Sequence, residues 1–364
     1  MAKKIIIAGG GTGGHIFPAI AIANAIKKLE PQTEILFVGA KGKMEMEKVP
    51  QAGYGIEGLD IAGFNRSSLI KNIGLPFKLV KSFLQVRNIF SRFRPDAVIG
   101  VGGYSSFPVL RLAQAKGIAS FIHESNSFAG KSNIFLGKKA TKIFVASDGM
   151  EKFFPANRIM ITGNPVRPAI TQVDTIAKEN ALQLFGMDAG KITLLAVGGS
   201  LGARSINEAI AKDIDTIVNN EIQLIWQTGK NDAAKWKAYQ KQGVWVDEFI
   251  TGMENAYAAA DIVISRAGAM AIAELCVVKK PVLFVPYPFA AEDHQTVNAM
   301  NLVNKQAAIM VKDNEAMEKL VPNIIALAKD ERHQRELKEN IGRYAIKDAD
   351  EIIAKEILKE LEQQ

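Results

Sequence analysis

Gly9-Gly10-Gly11-Thr12-Gly13-Gly14-His15 follows an apolar, β-branched run and opens a helical pattern. Glycines at such a turn let backbone N–H groups approach an oxygen-rich ligand closely, and the helix N-terminus adds partial positive charge. The same residues fit G-x-G-x-x-G, but a dinucleotide fold also wants an acidic residue about 20 positions further on for the ribose. Gly39 and Ala40 stand at the end of the second strand instead, which disfavours a nicotinamide cofactor. Gly198-Gly199-Ser200-Leu201-Gly202-Ala203-Arg204 repeats the order of strand, glycine turn and helix; its Ser200 hydroxyl suits a phosphate, and a plain tight turn is the alternative. A third passage, Ser265 to Glu274, also leads from strand to helix, with Glu274 placed either to accept from ribose hydroxyls or to be solvated. Two polar clusters follow apolar strands: His123-Glu124-Ser125-Asn126 and Glu292-Asp293-His294-Gln295. For both, a functional role and a turn-forming role stay open.

The elements that must position these residues read as alternating strands and helices. Lys4 to Ala8, Glu34 to Val38, Ala97 to Val101, Ala119 to Ile122 and Lys142 to Val145 are short apolar runs of the kind buried in parallel sheets, with helical patterns such as Pro18 to Leu29 and Leu75 to Phe93 between them. After Gly163-Asn164-Pro165-Val166-Arg167-Pro168, a poor helix or central strand, the alternation restarts with Ile192 to Val197, Gln223 to Gln227, Val244 to Phe249, Ile262 to Ser265 and Val282 to Val285. Two doubly wound α/β domains with ligands at the strand carboxyl ends, and a cleft between the domains, are the expectation. The chain has 364 residues, more than one core usually holds.

The composition, 48% hydrophobic and 23% charged, is globular. A lone cysteine, Cys276, and a start that runs straight into a strand fit a cytoplasmic setting. No window approaches the ~20 apolar residues of a membrane span, so membrane contact would be made from the surface. The net charge of +7 fits an anionic partner. It is concentrated: Ile61 to Pro95 contains no Asp or Glu, while Arg66, Lys71, Lys78, Lys81, Arg87, Arg92 and Arg94 alternate with Leu69, Ile70, Phe77, Leu79, Phe83 and Phe90. An ordinary amphipathic helix is one reading of that segment and an anionic membrane surface, engaged through residues 66–94, is the other.

Gly-Gly-Thr-Gly-Gly-His at 10–15, Gly-Gly-Tyr at 102–104, His-Glu-Ser-Asn at 123–126, Gly-Asn-Pro-Val-Arg at 163–167, Gly-Gly-Ser-Leu-Gly-Ala at 198–203, Arg-Ala-Gly-Ala at 266–269 and Asp-His-Gln at 293–295 together resemble, in order and over the whole chain, the MurG family of glycosyltransferases. The resemblance implies the GT-B fold, with residues 1–165 as an acceptor and membrane-associating domain, 166–344 as a UDP-GlcNAc-binding domain and a last helix, about 345–364, returning to the first domain. It implies inverting transfer of N-acetylglucosamine from UDP-GlcNAc to the 4-hydroxyl of lipid I, at the cytoplasmic face of the bacterial membrane, with no nucleic-acid partner. By the same resemblance Ile250 faces the uracil, Glu274 the ribose, Arg167 the nucleotide, and Ser200 with Ala269, Met270 and Ala271 the diphosphate. Gln295 would hold the donor sugar, and Asn126 with Thr12, Gly13 and Gly14 would reach it from the acceptor side, where Tyr104 and Asn133 position the acceptor. Ala271 departs from the Ser or Thr of many members.

A general base near neutral pH should be a histidine or a perturbed carboxylate. His15 is the first candidate, Glu124 and His123 the next, and His15 could instead stay neutral and donate to the diphosphate. No clustered metal ligands stand out, so no cofactor is expected, with a divalent cation at most stimulatory. A nonhydrolysing UDP-GlcNAc epimerase and a nucleotide-sensing module are the alternatives.

Overall fold

The computed structural model describes residues 2–63 and 74–363. Arg66, Leu69, Ile70 and Lys71 of the basic stretch lie outside the described residues. The chain divides into two compact units, Met1–Pro165 with Asp348–Gln364, and Val166–Lys347.

In the first unit β1 (Lys4–Ala8), α1 (Gly13–Leu29), β2 (Glu34–Ala40), α2 (Glu45–Gln51), β3 (Gly55–Leu59), α3 (Leu75–Phe93), β4 (Ala97–Gly100), α4 (Ser106–Ala115), β5 (Ala119–Glu124), α5 (Lys131–Gly137), β6 (Lys142–Val145) and β7 (Ile159–Ile161) follow one another. Seven strands in the order β3-β2-β1-β4-β5-β6-β7, all pairing parallel, form the sheet. Because side chains alternate across a strand, Ile5 and Ile7 enter one core layer with Ile16, Ile22 and Ile26 of α1, while Ile6 and Ala8 enter the other with Val86, Ile89 and Phe90 of α3. Burial on both faces is why β1 reads as an unbroken apolar run.

The second unit holds α6 (Pro168–Thr171), α7 (Lys178–Leu184), β8 (Ile192–Val197), α8 (Arg204–Lys212), α9 (Ile214–Asn219), β9 (Ile222–Gln227), α10 (Ala233–Lys237), β10 (Val244–Asp247), α11 (Met253–Ala259), β11 (Ile262–Ser265), α12 (Ala269–Val278), β12 (Val282–Phe284), α13 (His294–Val303), β13 (Ile309–Met310), α14 (Ala316–Ala328) and α15 (Glu331–Gly342). Its six strands run β10-β9-β8-β11-β12-β13, again all parallel. Both sheets reverse strand order once, between β1 and β4 and between β8 and β11, and such a switch point opens a crevice at the strand carboxyl ends.

Three differences from the sequence expectation have physical causes. The first helix begins at Gly13, five residues before Pro18, which lies inside it and leaves the Gly14 carbonyl without a proline N–H to accept. Strands β3, β7 and β13 carry no long β-branched run and lie at or next to sheet edges, where packing asks less of the sequence. The run from Val244 pairs only as far as Asp247, leaving Phe249 more than half exposed.

The last helix, α16 (Ala349–Glu362), packs along α1 through Ile353, Ala354, Ile357 and Leu358, an i, i+1, i+4, i+5 stripe. Lys28–Glu351 at 2.6 Å and Lys142–Glu356 at 2.7 Å flank the seam. Ile357 is fully buried, so Ile357→Ala leaves a cavity, and urea denaturation is expected to show a loss of about 2–5 kcal/mol.

Candidate functional site

At the first switch point the loop after β1 runs against the loop after β4. Gly10 N–H donates to the Gly102 carbonyl at 3.1 Å, and a Cβ on Gly103 would stand 2.4 Å from the Gly10 carbonyl oxygen. Only glycine fits there. Thr12 is the N-cap residue of α1 without a side-chain cap, and the first-turn amides at Gly13 and Gly14 have no intrahelical acceptor, which suits them to an oxygen-rich ligand.

His15, half-buried, places Nδ1 at 3.0 Å from the Gly10 carbonyl. A carbonyl only accepts, so Nδ1 carries the proton in this contact, with the Thr12 hydroxyl further off at 3.4 Å, and in the Nδ1–H tautomer the lone pair lies on Nε2. Nε2 faces Gly102, where a Cβ would stand 2.8 Å from it.

Glu124 ends β5, and both its oxygens are engaged by its own loop. Oε1 accepts from the Asn126 N–H at 3.2 Å and Nδ2 at 3.4 Å; Oε2 accepts from the Gly130 N–H at 3.2 Å and Asn133 Nδ2 at 2.8 Å. The structure thus brings Glu124, Asn126 and Asn133 together, with the carboxylate as the group that orients two amides. Tyr104 packs its ring on Gly63 and leaves about half of its surface, 52%, exposed.

His123 is fully buried, and neither ring nitrogen makes a hydrogen bond of good geometry. Burial, only partly offset by the Gly163 backbone and Asn164 beside the ring, holds its pKa at about 4. It is a core residue with no surface from which to meet a hydroxyl.

In the second unit the loop after β8 is pressed on Thr228 and Gly229: a Cβ on Gly202 would lie 2.2 Å from the Thr228 carbonyl oxygen. Ser200 is exposed on this turn. Ala269, Met270 and Ala271 form the first turn of α12 behind the N-cap Gly268, with no acidic side chain to oppose an anion.

Glu274 is buried rather than solvated. It takes Arg167 in a two-pronged contact, Nε to Oε1 at 2.7 Å and Nη2 to Oε2 at 2.9 Å, while the Tyr257 hydroxyl donates to Oε2 at 3.4 Å. Burial and the neighbouring carboxylate push the Tyr257 hydroxyl well above its ordinary pKa, so it stays a donor. Ile250 is buried, its N–H donating to Gln227 Oε1 at 3.0 Å. Gln295, in the first turn of α13, accepts from the Tyr287 N–H at 2.9 Å, next to Glu292 and Asp293 in left-handed backbone.

Two groups carry roles that the sequence motifs did not assign. Arg266 gathers the site loops of this unit, donating to the Val285 and Pro286 carbonyls at 2.9 and 3.2 Å, to Asp313 at 2.5 Å and to Ser205 at 3.2 Å. Glu45, just 1% exposed, lies under the first glycine loop, and only its place five residues past β2 hinted at it. Among the described residues no group of three His, Cys, Asp or Glu could hold a metal ion.

Residues 5–145 match the glycosyltransferase family 28 N-terminal domain and residues 193–355 its C-terminal domain. A relative from Parabacteroides distasonis named UDP-N-acetylglucosamine--N-acetylmuramyl-(pentapeptide) pyrophosphoryl-undecaprenol N-acetylglucosamine transferase is 51% identical, covering 98% of each chain. The crystal structure of Acinetobacter baumannii MurG is similar at a TM-score of 0.82 with 26% identity, over 98% of this chain and 99% of that one. A UDP-N-acetylglucosamine 2-epimerase structure, at 14% identity and a TM-score of 0.64 over 100% and 98% of the two chains, shares the fold alone.

The buried histidine yields a pH prediction. The unfolded chain takes up a proton near pH 6.5 that folded His123 refuses until about 4. The stability that neutral His123 contributes is therefore fully present above pH 6.5 and falls as pH drops from 6.5 toward 4; denaturant midpoints for His123→Gln should lose this part of the dependence.

Proposed function

The chain belongs to glycosyltransferase family 28, among the UDP-N-acetylglucosamine--N-acetylmuramyl-(pentapeptide) pyrophosphoryl-undecaprenol N-acetylglucosamine transferases, and from that membership we propose how its two units divide the reaction. It is a glycosyltransferase of peptidoglycan synthesis that moves N-acetylglucosamine from UDP-GlcNAc to lipid I. The observation that carries this is identity over nearly the full length of both chains, which leaves the epimerase reading with the fold only.

In this reading the second unit binds the donor. Ser200 and the amides at Ala269–Ala271 meet the diphosphate, and the N-terminus of α12 opposes the charge that builds on the leaving group. Where Ala271 lacks a hydroxyl, one net hydrogen bond of about 0.5–1.5 kcal/mol is missing, which alters affinity without abolishing transfer. Glu274 takes the ribose hydroxyls, with Arg167 holding its carboxylate in place, Ile250 lines the uracil, and Gln295 meets the sugar.

The first unit binds the acceptor through Thr12, Gly13, Gly14, Tyr104, Asn126 and Asn133. The acceptor 4-hydroxyl gives its proton to His15 Nε2 and its oxygen attacks the anomeric carbon. The bond from that carbon to the β-phosphate oxygen breaks, its electron pair leaves with UDP, and configuration inverts. Glu124, with both oxygens engaged, serves by orienting Asn126 and Asn133. No metal is required, though a divalent cation can stimulate.

Incubating the protein with UDP-GlcNAc and lipid I in EDTA is expected to yield UDP and the disaccharide lipid. His15→Gln should lower kcat by about 10²–10⁴-fold. Turnover of UDP-GlcNAc without acceptor, by epimerisation, would overturn the reading.

A membrane surface fits α3. Phe77 is 78% exposed, Val80 and Leu84 are exposed beside it, and Phe83, Phe107 and Phe135 continue the apolar face in successive ring contacts of 6.4 and 5.9 Å. The charge around it is smaller than the acid-free stretch implied. Lys81 pairs with Asp60 at 2.9 Å and Arg92 with Glu57 at 2.8 Å, and hydrogen bonds from Lys81 and Lys41 hold the Asp60 carboxyl at about 2. Apolar insertion therefore carries more of the attraction, with Lys78 and Arg87 adding ~1 kcal/mol each near anionic headgroups. No helix among the described residues is long and apolar enough to cross a membrane. In this reading the chain binds the cytoplasmic face peripherally, through the apolar face of α3. Replacing Phe77, Val80 and Leu84 together by serine is expected to abolish flotation with anionic vesicles while leaving UDP affinity unchanged.

A further inference from the structure

Glu45 belongs to none of the motifs that the function absorbs. Its carboxylate is buried, and among the described residues it makes no ion pair. Backbone amides hold it instead: Oε1 accepts from the Ala40 N–H at 3.0 Å and Oε2 from the Gly11 N–H at 2.8 Å. The fit is close, since a Cβ on Gly10 would stand 2.3 Å from its Cδ and one on Gly39 2.5 Å from its Cγ.

The Gly11 N–H and the Gly10 carbonyl belong to one peptide unit. That unit is planar and trans, so its N–H and C=O point in opposite directions. One end meets Glu45 and the other meets His15 Nδ1 at 3.0 Å. Gly10 and Gly11 have φ of 145° and 88°, so glycine freedom on both sides leaves the plane to be set by its hydrogen bonds rather than by side-chain sterics. A carboxylate can only accept from the N–H end. With that end taken, the carbonyl end is aimed at the imidazole, where it can only accept in turn.

We propose that Glu45 is a positioning residue for the transfer, acting through the Gly10–Gly11 peptide to hold His15 as its Nδ1–H tautomer with the Nε2 lone pair presented to the acceptor hydroxyl. The proposal rests on the reading of His15 as the base. When Nε2 takes the proton, Nδ1–H stays on the Gly10 carbonyl, and the new imidazolium charge is opposed through the peptide dipole by the carboxylate behind it. The same contact occupies an amide that a dinucleotide fold offers to a pyrophosphate, which turns this loop away from nucleotide binding.

Long-range proton–nitrogen correlation spectra of the full chain with ¹⁵N-histidine, assigned by comparison with His15→Gln, report the tautomer directly. Wild type is expected to show Nδ1–H at His15, and Glu45→Gln a shift toward Nε2–H. Glu45→Gln should also lower kcat by at least roughly tenfold with the KM for UDP-GlcNAc within about twofold, as loss of base positioning without loss of donor binding requires. Adding Glu45→Gln to His15→Gln should cost nothing more, because both remove one device. Nε2–H in wild type, an unchanged tautomer in Glu45→Gln, or additive losses would each overturn the proposal. If Glu45→Gln fails to fold, the wild-type tautomer decides alone. Full activity in His15→Gln would instead defeat the base reading, while the tautomer shift still judges the Glu45 contact.

Discussion

Backbone pressed against backbone at the ends of parallel strands is the constraint on which both units depend. Two loops leaving neighbouring strands must pass within van der Waals contact in each unit: Gly103 against Gly10 at the switch point of the first, and Gly202 against Thr228 and Gly229, between the loops after β8 and β9, in the second. A single methyl group would hold them apart. The amides at these contacts are used within the protein, Gly10 by Gly102, Gly11 by Glu45 and Gly229 by Glu248, and both candidate sites draw instead on the first turns of α1 and α12.

The carboxylates near these loops follow from the same constraint. Glu45, Glu124 and Glu274 are all buried at the strand ends, and each is matched to donors: two amides for Glu45, a loop amide pair with two asparagine donors for Glu124, an arginine and a tyrosine for Glu274. A buried carboxylate without such donors would be too costly to keep. The donors in turn lose their freedom, so each carboxylate stiffens the loop that a ligand must meet. Glu45 and Glu124 thus stand behind the loop groups they orient, whereas Glu274 is itself oriented, by Arg167 and Tyr257.

The apolar face of α3 is a separate device on the same unit. Its inner stripe, Val86, Ile89 and Phe90, is ordinary core, while Phe77, Val80 and Leu84 point outward with no covering element among the described residues. Carboxylates from β3 and the residue that follows it answer part of the basic charge, so that the face is an apolar surface with a basic rim rather than a uniformly positive patch.

Two parallel sheets, their glycine turns and the strand-end placement of His15, His123, Glu124, Ser200 and Glu274 were all legible in the order of residues, because buried parallel strands demand unbroken apolar runs and close turns demand glycine. The motif spacing likewise carried the family. Partnership was not legible. His123 and His15 look alike as letters near strand ends, yet one is sealed in the core with its pKa near 4 and the other lies half-buried against a carbonyl. Glu45 carried no motif at all, and Arg167 meets Glu274 across 107 residues of chain. Periodicity reports which face of an element is buried, a local property; which polar atoms meet there depends on loops converging from distant strands, and only the folded chain brings those together.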